Sequence, residues 1–412
     1  MSMEEWKEYR LGEIVDLVID YRGKTPLKLG GEWTSSGYRA LSAKNIKTGR
    51  IVNEDSIRYV DEDLYKKWMK DEVQRGDILI TSEAPFGQIY YWDSDEKIVL
   101  SQRLFCVRIS SSTCSKFVYH YMTTAEFQAE LDGRATGTTV VGLRQPELLK
   151  CKISLPSLPT QQKIASILSS LDDKIEVNRR INEQLEELAQ ALFKSWFVDF
   201  EPFKDGDFVE SELGMIPKGW TTISLSKMAD YLNGLAMQKF RPLQGEKGLP
   251  VLKIKELGQD SCNETSELCS PSLVNEKYIV NDGDVIFSWS GTLLVKIWCG
   301  GVCGLNQHLF KVTSEKYPKW FIYLWTKYHL DRFIRIAKDK AVTMGHIKRG
   351  ELDTSFAIVP NEEKMKEIDG LMAPLIEQII ANNIEIRHLT TLRDTLLPKL
   401  MSGEIDVNDV AL

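Results

Sequence analysis

The chain has 412 residues, of which 43% are hydrophobic and 27% are charged, with 27 glycines and 14 prolines. This length suits two or three domains, and the composition excludes a disordered chain, a collagen-like repeat and a disulfide scaffold. There is no apolar run of about 18 residues, so no transmembrane helix is expected, and the acidic start of the chain does not resemble a signal peptide. The seven cysteines are irregularly spaced, which favours reduced thiols and a cytoplasmic location.

The net charge of −7 is unevenly distributed along the chain. Residues 156–211 and 359–412 each have a net charge of −5, whereas residues 1–155 have −1 and residues 212–358 have +4. The two long segments are therefore close to neutral or basic. A DNA-binding face on these segments is permitted, although the whole chain is acidic.

An internal repeat organises the sequence. Five short motifs occur twice in the same order, at separations that drift from 214 to 201 residues. Two examples are Gly76–Leu79 with Gly283–Ile286, and Leu100–Phe105 with Leu305–Phe310. Each match is weak alone, but five in one order are difficult to produce by chance.

Each copy is predicted to begin with a mixed α+β globule of about 150 residues and to end with a long helix. Asp77–Thr81, Ile89–Trp92 and Val285–Trp289 are typical of strands, and Lys319–Lys338 is typical of a helix.

Both long helices show a spacing that alternates between four and three residues, which predicts a coiled-coil seam. The predicted seam residues are Leu171, Ile175, Asn178, Asn182 and Leu185 in the first helix and Ile379, Asn382, Ile386 and Leu389 in the second. Asparagine in such a seam lowers stability but fixes the register. Gly370 and Pro374 are expected to break or kink the start of the second helix. A helical hairpin inside an ordinary core is the alternative.

The predicted order is globule, helix, globule, helix, and antiparallel pairing of the helices would give the repeat an approximate two-fold axis. A helix of about 35 residues spans roughly 50 Å, so the pair could act as a ruler.

No catalytic signature is present. The sequence lacks a phosphate-binding G-x-x-x-x-G-K-[ST] loop, a G-x-G-x-x-G turn and the Pro-Pro-aromatic motif of amino-methyltransferases. The five histidines are scattered, and the spacings of Cys262, Cys269, Cys299 and Cys303 are not those of a zinc ribbon. Neither a metal site nor a cofactor is therefore predicted.

Basic residues near glycine and threonine form candidate DNA contacts in both copies. Glycine and small hydroxyl residues let backbone amides approach phosphates, while Arg and Lys supply charge and contacts to base edges. The candidates are Lys44, Lys47, Arg134, Thr138, Thr139 and Arg144 in the first copy and Arg335, Lys338, Lys340, Thr343, Lys348 and Arg349 in the second. For any one of them, a solvated surface loop is the alternative. Ser82–Gly87 and Ser288–Gly291 are either turns at the DNA or ordinary turns.

Several motifs resemble those of the DNA-specificity subunit of type I restriction-modification systems. They are Leu155-Pro-Ser-Leu-Pro159-Thr-Gln-Gln-Lys163-Ile-Ala165, Leu171-Asp-Asp-Lys-Ile175-Glu-Val-Asn178 and Gly214-Met-Ile-Pro217-Lys-Gly-Trp220. The resemblance covers essentially the whole chain. The second copy departs from the pattern where Pro360-Asn-Glu-Glu lacks the glutamine pair.

The resemblance implies an α+β fold with five segments. These are target-recognition domain 1 (1–155), a central long helix (156–200), a linker (201–211), target-recognition domain 2 (212–358) and a C-terminal long helix (359–412). It also implies a non-catalytic role, in which each domain binds one half of a split, asymmetric site in double-stranded DNA. The helices would set the gap and dock two modification (adenine methyltransferase) subunits, which bind S-adenosylmethionine. Restriction subunits, which are ATP-dependent translocases and nucleases, would join this core, and no membrane is involved.

Two alternatives belong to other classes. One is a single-chain methyltransferase with an unrecognised site. The other is a coiled-coil scaffold whose globules bind proteins or glycans, and salt-dependent DNA affinity would separate it from a DNA-binding protein.

Overall fold

A computed structural model describes residues 6–137, 141–339 and 347–407. The chain forms two compact units. The first unit comprises residues 1–173 and 390–412, and the second comprises residues 174–389. No helix in the described ranges is both long and apolar enough to span a membrane. The five segment limits implied by the resemblance stay a prediction.

The first unit is a mixed α+β fold. Its strands are β1 (Lys7–Arg10), β2 (Val15–Asp20), β3 (Tyr38–Leu41), β4 (Ile46–Lys47), β5 (Arg50–Ile51), β6 (Arg58–Val60), β7 (Ile78–Thr81), β8 (Ile89–Tyr91), β9 (Val99–Leu100), β10 (Leu104–Ile109) and β11 (Lys152–Leu155). Its helices are α1 (Leu11–Ile14), α2 (Glu62–Trp68), α3 (Ser115–Met122), α4 (Ala125–Arg134), α5 (Gln145–Leu148) and the first part of α6 (Leu158–Phe197).

An antiparallel sheet in the order β2-β10-β7-β8 forms the centre of the first unit. All four residues of β7 are buried, as expected for a central strand covered on both faces. A second sheet has the order β6-β3-β9, with β3 parallel to β9, and β1 pairs with β11. The predicted strands at residues 77–81 and 89–92 are confirmed to within one residue at their ends.

The second unit also contains strands and helices. Its strands are β12 (Phe208–Ser211), β13 (Gly214–Pro217), β14 (Thr221–Ser224), β15 (Asp230–Asn233), β16 (Leu249–Leu252), β17 (Leu268–Cys269), β18 (Ile279–Val280), β19 (Val285–Ser288), β20 (Leu294–Ile297), β21 (Cys303–Leu305), β22 (Leu309–Thr313) and β23 (Phe356–Val359). Its helices are α7 (Leu225–Met228), α8 (Ile254–Gln259), α9 (Lys319–Tyr328), α10 (Leu330–Asp339), α11 (Gly350–Asp353) and most of α12 (Glu362–Met401).

The second unit repeats the topology of the first. Its central sheet has the order β15-β22-β19-β20, a second sheet contains the parallel pair β16 and β21, and β14 pairs with β23. The register is also repeated, since Asp20 lies opposite Phe105 and Asn233 lies opposite Phe310. The internal repeat is therefore confirmed in three dimensions. The helix predicted for residues 319–338 is present as α9 and α10, which are separated by a turn at His329.

The two long helices pair in antiparallel fashion, as predicted. Within the second unit, the Asn178 amide donates to Glu385 at 2.7 Å and the Asn382 amide donates to Asn182 at 2.8 Å. Residues further along α6 therefore contact residues nearer the start of α12. Each predicted seam residue is buried or half-buried. Because these amides are hydrogen-bonded, they fix one register at little cost in unsatisfied polar groups.

The predicted break at the start of the second helix is wrong. Helix α12 continues without interruption from Glu362 to Met401. Pro374 lies on the exposed face of the helix, where water can hydrogen-bond the carbonyl that loses its partner. The buried neighbours Met372 and Ile376 hold the opposite face in the core.

The C-terminal end of each long helix is anchored in a hydrophobic core. Phe193 and Phe197 of α6 belong to the main core of the second unit. Leu400 and Met401 of α12 belong to a core of the first unit. Each unit therefore depends on residues of both helices.

Candidate nucleic-acid interface

A polar cleft of about 470 Å³ lies in the first unit. It is lined by Arg22, Gly23, Thr25, Lys28, Glu83, Gln102, Arg103, Thr136, Gly142, Leu143 and Arg144. Four of these residues are cationic and one is a carboxylate. The cleft is therefore a concentration of positive charge on a chain that is acidic as a whole.

The central sheet brings these residues together. Arg22 follows the end of β2, Glu83 follows the end of β7, and Gln102 and Arg103 immediately precede β10. Because β10 lies between β2 and β7 and runs antiparallel to both, these three points meet at one edge of the sheet. At that edge the amide of Ser82 donates to the carbonyl of Arg103 at 2.9 Å, and the amide of Leu143 donates to the carbonyl of Ser82 at 3.0 Å. These backbone hydrogen bonds hold the three segments together.

Arg22 is held firmly in the cleft. Its guanidinium donates to both carboxylate oxygens of Asp20, each at 2.8 Å, and lies 4.0 Å from the centre of the Phe105 ring. A third contact is made with the carbonyl of Leu143 at 3.3 Å. A cation in this bidentate, stacked arrangement loses little conformational freedom when it meets a ligand.

Arg103 has an unusual backbone conformation. Its φ of 64° lies in the left-handed region, which non-glycine residues rarely adopt. Its guanidinium forms an ion pair with Glu83 at 2.8 Å, and its side chain remains 47% exposed. Strained residues of this kind concentrate at functional sites, so the strain marks Arg103 as a candidate.

The predicted contact residues of the first copy are distributed differently. Arg144 lines the cleft. Lys44 and Lys47 are exposed on the segment around the β4–β5 hairpin and do not line the cleft. Arg134 is paired with Glu130 at 2.7 Å and with Glu147 at 3.6 Å, so its charge is already engaged within the unit. The candidates Thr138 and Thr139 lie outside the described residues.

Sequence reasoning missed most of the cleft, including Arg22, Lys28 and Arg103. One signal was available. Gln102-Arg103 lies inside the repeated motif that continues as Gln307-His308 in the second copy, and the second position differs between the copies. A residue that varies inside a repeated motif is a candidate for specificity. Arg22 gave no such signal, because only strand pairing brings it to the cleft.

The corresponding edge of the second unit has different chemistry. The turn after β19 holds Trp289, whose indole donates to Asn233 at 2.9 Å, and Ser290, whose hydroxyl lies 3.0 Å from Nδ1 of His308. The amide of Ile347 donates to the Trp289 carbonyl at 3.1 Å, much as Leu143 donates to Ser82 in the first unit. The scaffold is repeated, but aromatic and neutral polar groups replace the arginine-rich set.

Two basic groups lie elsewhere in the second unit. Arg335 and Lys338 are exposed and three residues apart on α10, whose opposite face buries Phe333 and Ala337. Lys348 is exposed, and Arg349 donates to the Tyr231 carbonyl at 2.9 Å. The candidates Lys340 and Thr343 lie outside the described residues.

The described residues contain no cluster of three or more His, Cys, Asp or Glu side chains suited to a metal ion. All seven cysteines are free thiols, and burial raises the pKa of Cys299 to about 11.

The fold has a counterpart among solved structures. It is similar to a crystal structure of the type I restriction-modification system S subunit from M. genitalium, with a TM-score of 0.56, 16% identity and 97% of each chain covered. At this identity the likeness concerns the fold alone.

Sequence comparison identifies the family. Residues 3–187 match the type I restriction modification DNA specificity domain. The MjaIX specificity subunit of Methanocaldococcus jannaschii is 31% identical over 416 residues, which cover 98% of this chain and 95% of that protein. The HindI specificity subunit of Haemophilus influenzae is 24% identical over 484 residues, which cover 98% of this chain and all of that protein (100%). The chain therefore belongs to the family of type I restriction enzyme specificity subunits, which are non-catalytic and leave catalysis to other subunits.

Proposed function

We propose that the two repeated α+β folds bind the two halves of a bipartite, asymmetric DNA site, one half each. The observation that carries this proposal is the difference between the two sheet edges. The ends of corresponding strands carry Arg22, Glu83 and Arg103 in one unit and Trp289 and His308 in the other. Two copies of one scaffold with different side chains at the same edge are suited to two different short sequences.

Phosphate contacts are assigned to the exposed basic residues outside the cleft. Lys44, Lys47, Arg335, Lys338 and Lys348 are all exposed, and cations of this kind neutralise backbone charge without reading sequence. We assign base contacts to the cleft of the first unit, including Arg144. Arg134 and Arg349 do not line this cleft and are held by partners within their own units, so they are weaker candidates for base contact.

The long helices are proposed to set the gap between the half-sites and to dock two methyltransferase subunits, which restriction subunits then join. The amide contacts between α6 and α12 support the first role, because they hold the helices in one register. Val177, Ile181 and Leu188 of α6 support the second, because they are 49%, 38% and 46% exposed and recur at helical spacing on one face. Apolar side chains that face outward from a paired helix are suited to protein contacts.

Exchange of the first recognition fold tests the proposal. Residues 1–155 would be replaced by those of another specificity subunit, together with residues 390–412, because Leu400 and Met401 complete the core of the first unit. The recognised site would be mapped from DNA methylation in cells that also contain the modification subunits. One half-site should change and the other should stay the same. A change in both halves, or in neither, would contradict the proposal.

A further inference from the structure

We propose that the cleft of the first unit recognises one G·C base pair in the major groove, with Arg103 contacting guanine and Glu83 contacting cytosine. This inference rests on the proposed function and assigns a base identity to one position of one half-site. It depends on the chemistry of a single ion pair and on where that pair lies.

The pairing of a carboxylate with an arginine argues for base contact. DNA phosphates repel a carboxylate, so Glu83 would oppose a contact between this cleft and the DNA backbone. The major-groove edge of a G·C pair offers two acceptors, guanine O6 and N7, and one donor, the cytosine N4 amino group. An arginine beside a glutamate presents the complementary set of donors and acceptors.

The geometry of the ion pair suits this contact, which needs the two terminal nitrogens of the Arg103 guanidinium and one carboxylate oxygen of Glu83. The ion pair joins Nε of Arg103 to Oε1 of Glu83, whereas the two terminal nitrogens of a guanidinium make the bidentate contact with guanine. The two side chains are 47% and 34% exposed, so both are accessible from the cleft. Glu83 can hold the guanidinium in position while its other oxygen accepts from cytosine.

The backbone supplies an independent argument. Arg103 has a positive φ in a short connection where β9 leads into β10, and the amide of Ser82 donates to its carbonyl at 2.9 Å. Its counterpart His308 does not share this conformation in the described structure. A strained backbone at a motif position that is Arg in one copy and His in the other indicates that the direction of this side chain matters.

The test uses the chain assembled with its modification subunits and DNA duplexes based on its mapped site. In Arg103→Ala, one G·C position of one half-site should become degenerate. Discrimination there should fall by about 5–150-fold, which corresponds to the 1–3 kcal/mol of a bidentate contact. Replacing guanine with 7-deazaguanine at that position should weaken wild-type binding and leave Arg103→Ala binding nearly unchanged. Glu83→Gln should relax the same position to a smaller extent.

Two further variants make the result decisive. Arg103→Lys retains the charge but not the fork, so it should fail to restore discrimination, whereas a phosphate contact would be restored. Arg75→Ala is the matched control, because Arg75 is 52% exposed and paired with Asp93 and Asp95 at the opposite end of the β7–β8 hairpin. It should leave recognition unchanged. The unaltered half-site reports that each variant is folded and assembled.

Unchanged recognition in Arg103→Ala, relaxation at an A·T pair, or full restoration by Arg103→Lys would overturn the inference. If the domain exchange still altered a single half-site, the proposed function would stand while the base assignment failed. Relaxation in both half-sites by Arg103→Ala would contradict both.

Discussion

The two units differ least where they are buried and most where the central sheets end. Strand β7 and its counterpart β19 are both buried throughout, and the strands beside them follow the same order. At the edges, however, an Arg–Glu pair in one unit corresponds to a Trp, Ser and His group in the other. A repeated core can therefore hold two different sets of surface side chains, because the fold depends on the buried strands and not on the residues that follow them.

The units also differ in how they hold the long helices. Phe197 of α6 lies 5.6 Å, 5.9 Å and 5.7 Å, between ring centres, from Trp220, Trp320 and Phe321. The equivalent anchor in the first unit consists of the aliphatic end of α12, including Leu400 and Met401. Large aromatic groups bury more surface, so the second unit should depend more strongly on its anchor.

Removing the aromatic anchor should have the largest effect. Phe197 is fully buried, and Phe197→Ala should lower the free energy of unfolding by about 3–5 kcal/mol. Leu400→Ala makes the matched change in the first unit and should cost about 2–5 kcal/mol. Urea unfolding followed by tryptophan fluorescence would measure both. A loss below about 1 kcal/mol for Phe197→Ala would mean that α6 is not anchored there.

A pH effect should distinguish how α6 is held in the two units. In the first unit, His120 lies 3.2 Å from the Ser169 hydroxyl of α6, and burial, together with the charges of Arg393 and Lys116, lowers the pKa of His120 to about 3. At this pKa the histidine is neutral at pH 7, so its approach to Asp172 at 3.8 Å is not an ion pair. In the second unit, α6 is held by a different kind of contact, an ion pair between Lys327 of α9 and Glu186 of α6.

Protonation of His120 should therefore destabilise the first unit in acid. The unfolded chain binds a proton at this histidine near pH 6.5, but the folded chain does so only near pH 3. Stability is fully present above pH 6.5 and falls as the pH decreases toward 3, because the unfolded state then binds more protons. His120→Gln should reduce this slope. An identical pH profile for the variant would show that His120 does not contribute.

Single contact residues should have the smallest effects. Arg144 lines the cleft, so Arg144→Ala should cost about 1–3 kcal/mol at one base position. Lys348 is exposed, so Lys348→Ala should weaken all sequences equally and lower the salt slope by about one unit. Binding to cognate and altered duplexes at several salt concentrations separates the two. The interface would need reassignment if Arg144→Ala behaved as a uniform, salt-dependent loss.

The sequence was most informative about periodic and repeated features. The 3.5-residue spacing predicted the paired helices and their asparagine contacts, since Asn178, Asn182 and Asn382 all take part. Repetition of the motifs around Gly76 and Leu100 predicted two copies of one fold. The predicted break at Pro374 was wrong. A local rule about proline does not take into account that Pro374 is exposed while Met372 and Ile376, on the opposite face of the helix, are buried.

The cleft was mostly invisible in the sequence. Its residues come from four separated segments around Arg22, Glu83, Arg103 and Arg144, and only the pairing of β2, β10 and β7 brings them together. Clusters of basic residues along the chain indicated Arg144 but also Arg134, whose charge is paired with Glu130. Linear charge density cannot distinguish a cation that lines the cleft from one that lies outside it.

The most direct measurement of the central claim compares one variant from each sheet edge. Arg103→Ala and His308→Ala would each be assembled with the modification subunits, and their methylated sites would be mapped across a genome. If each unit binds its own half-site through this edge, the two variants relax positions in opposite halves of the same site, and the double variant relaxes both. Relaxation of the same half by both variants, or an unchanged site in both, would contradict the account.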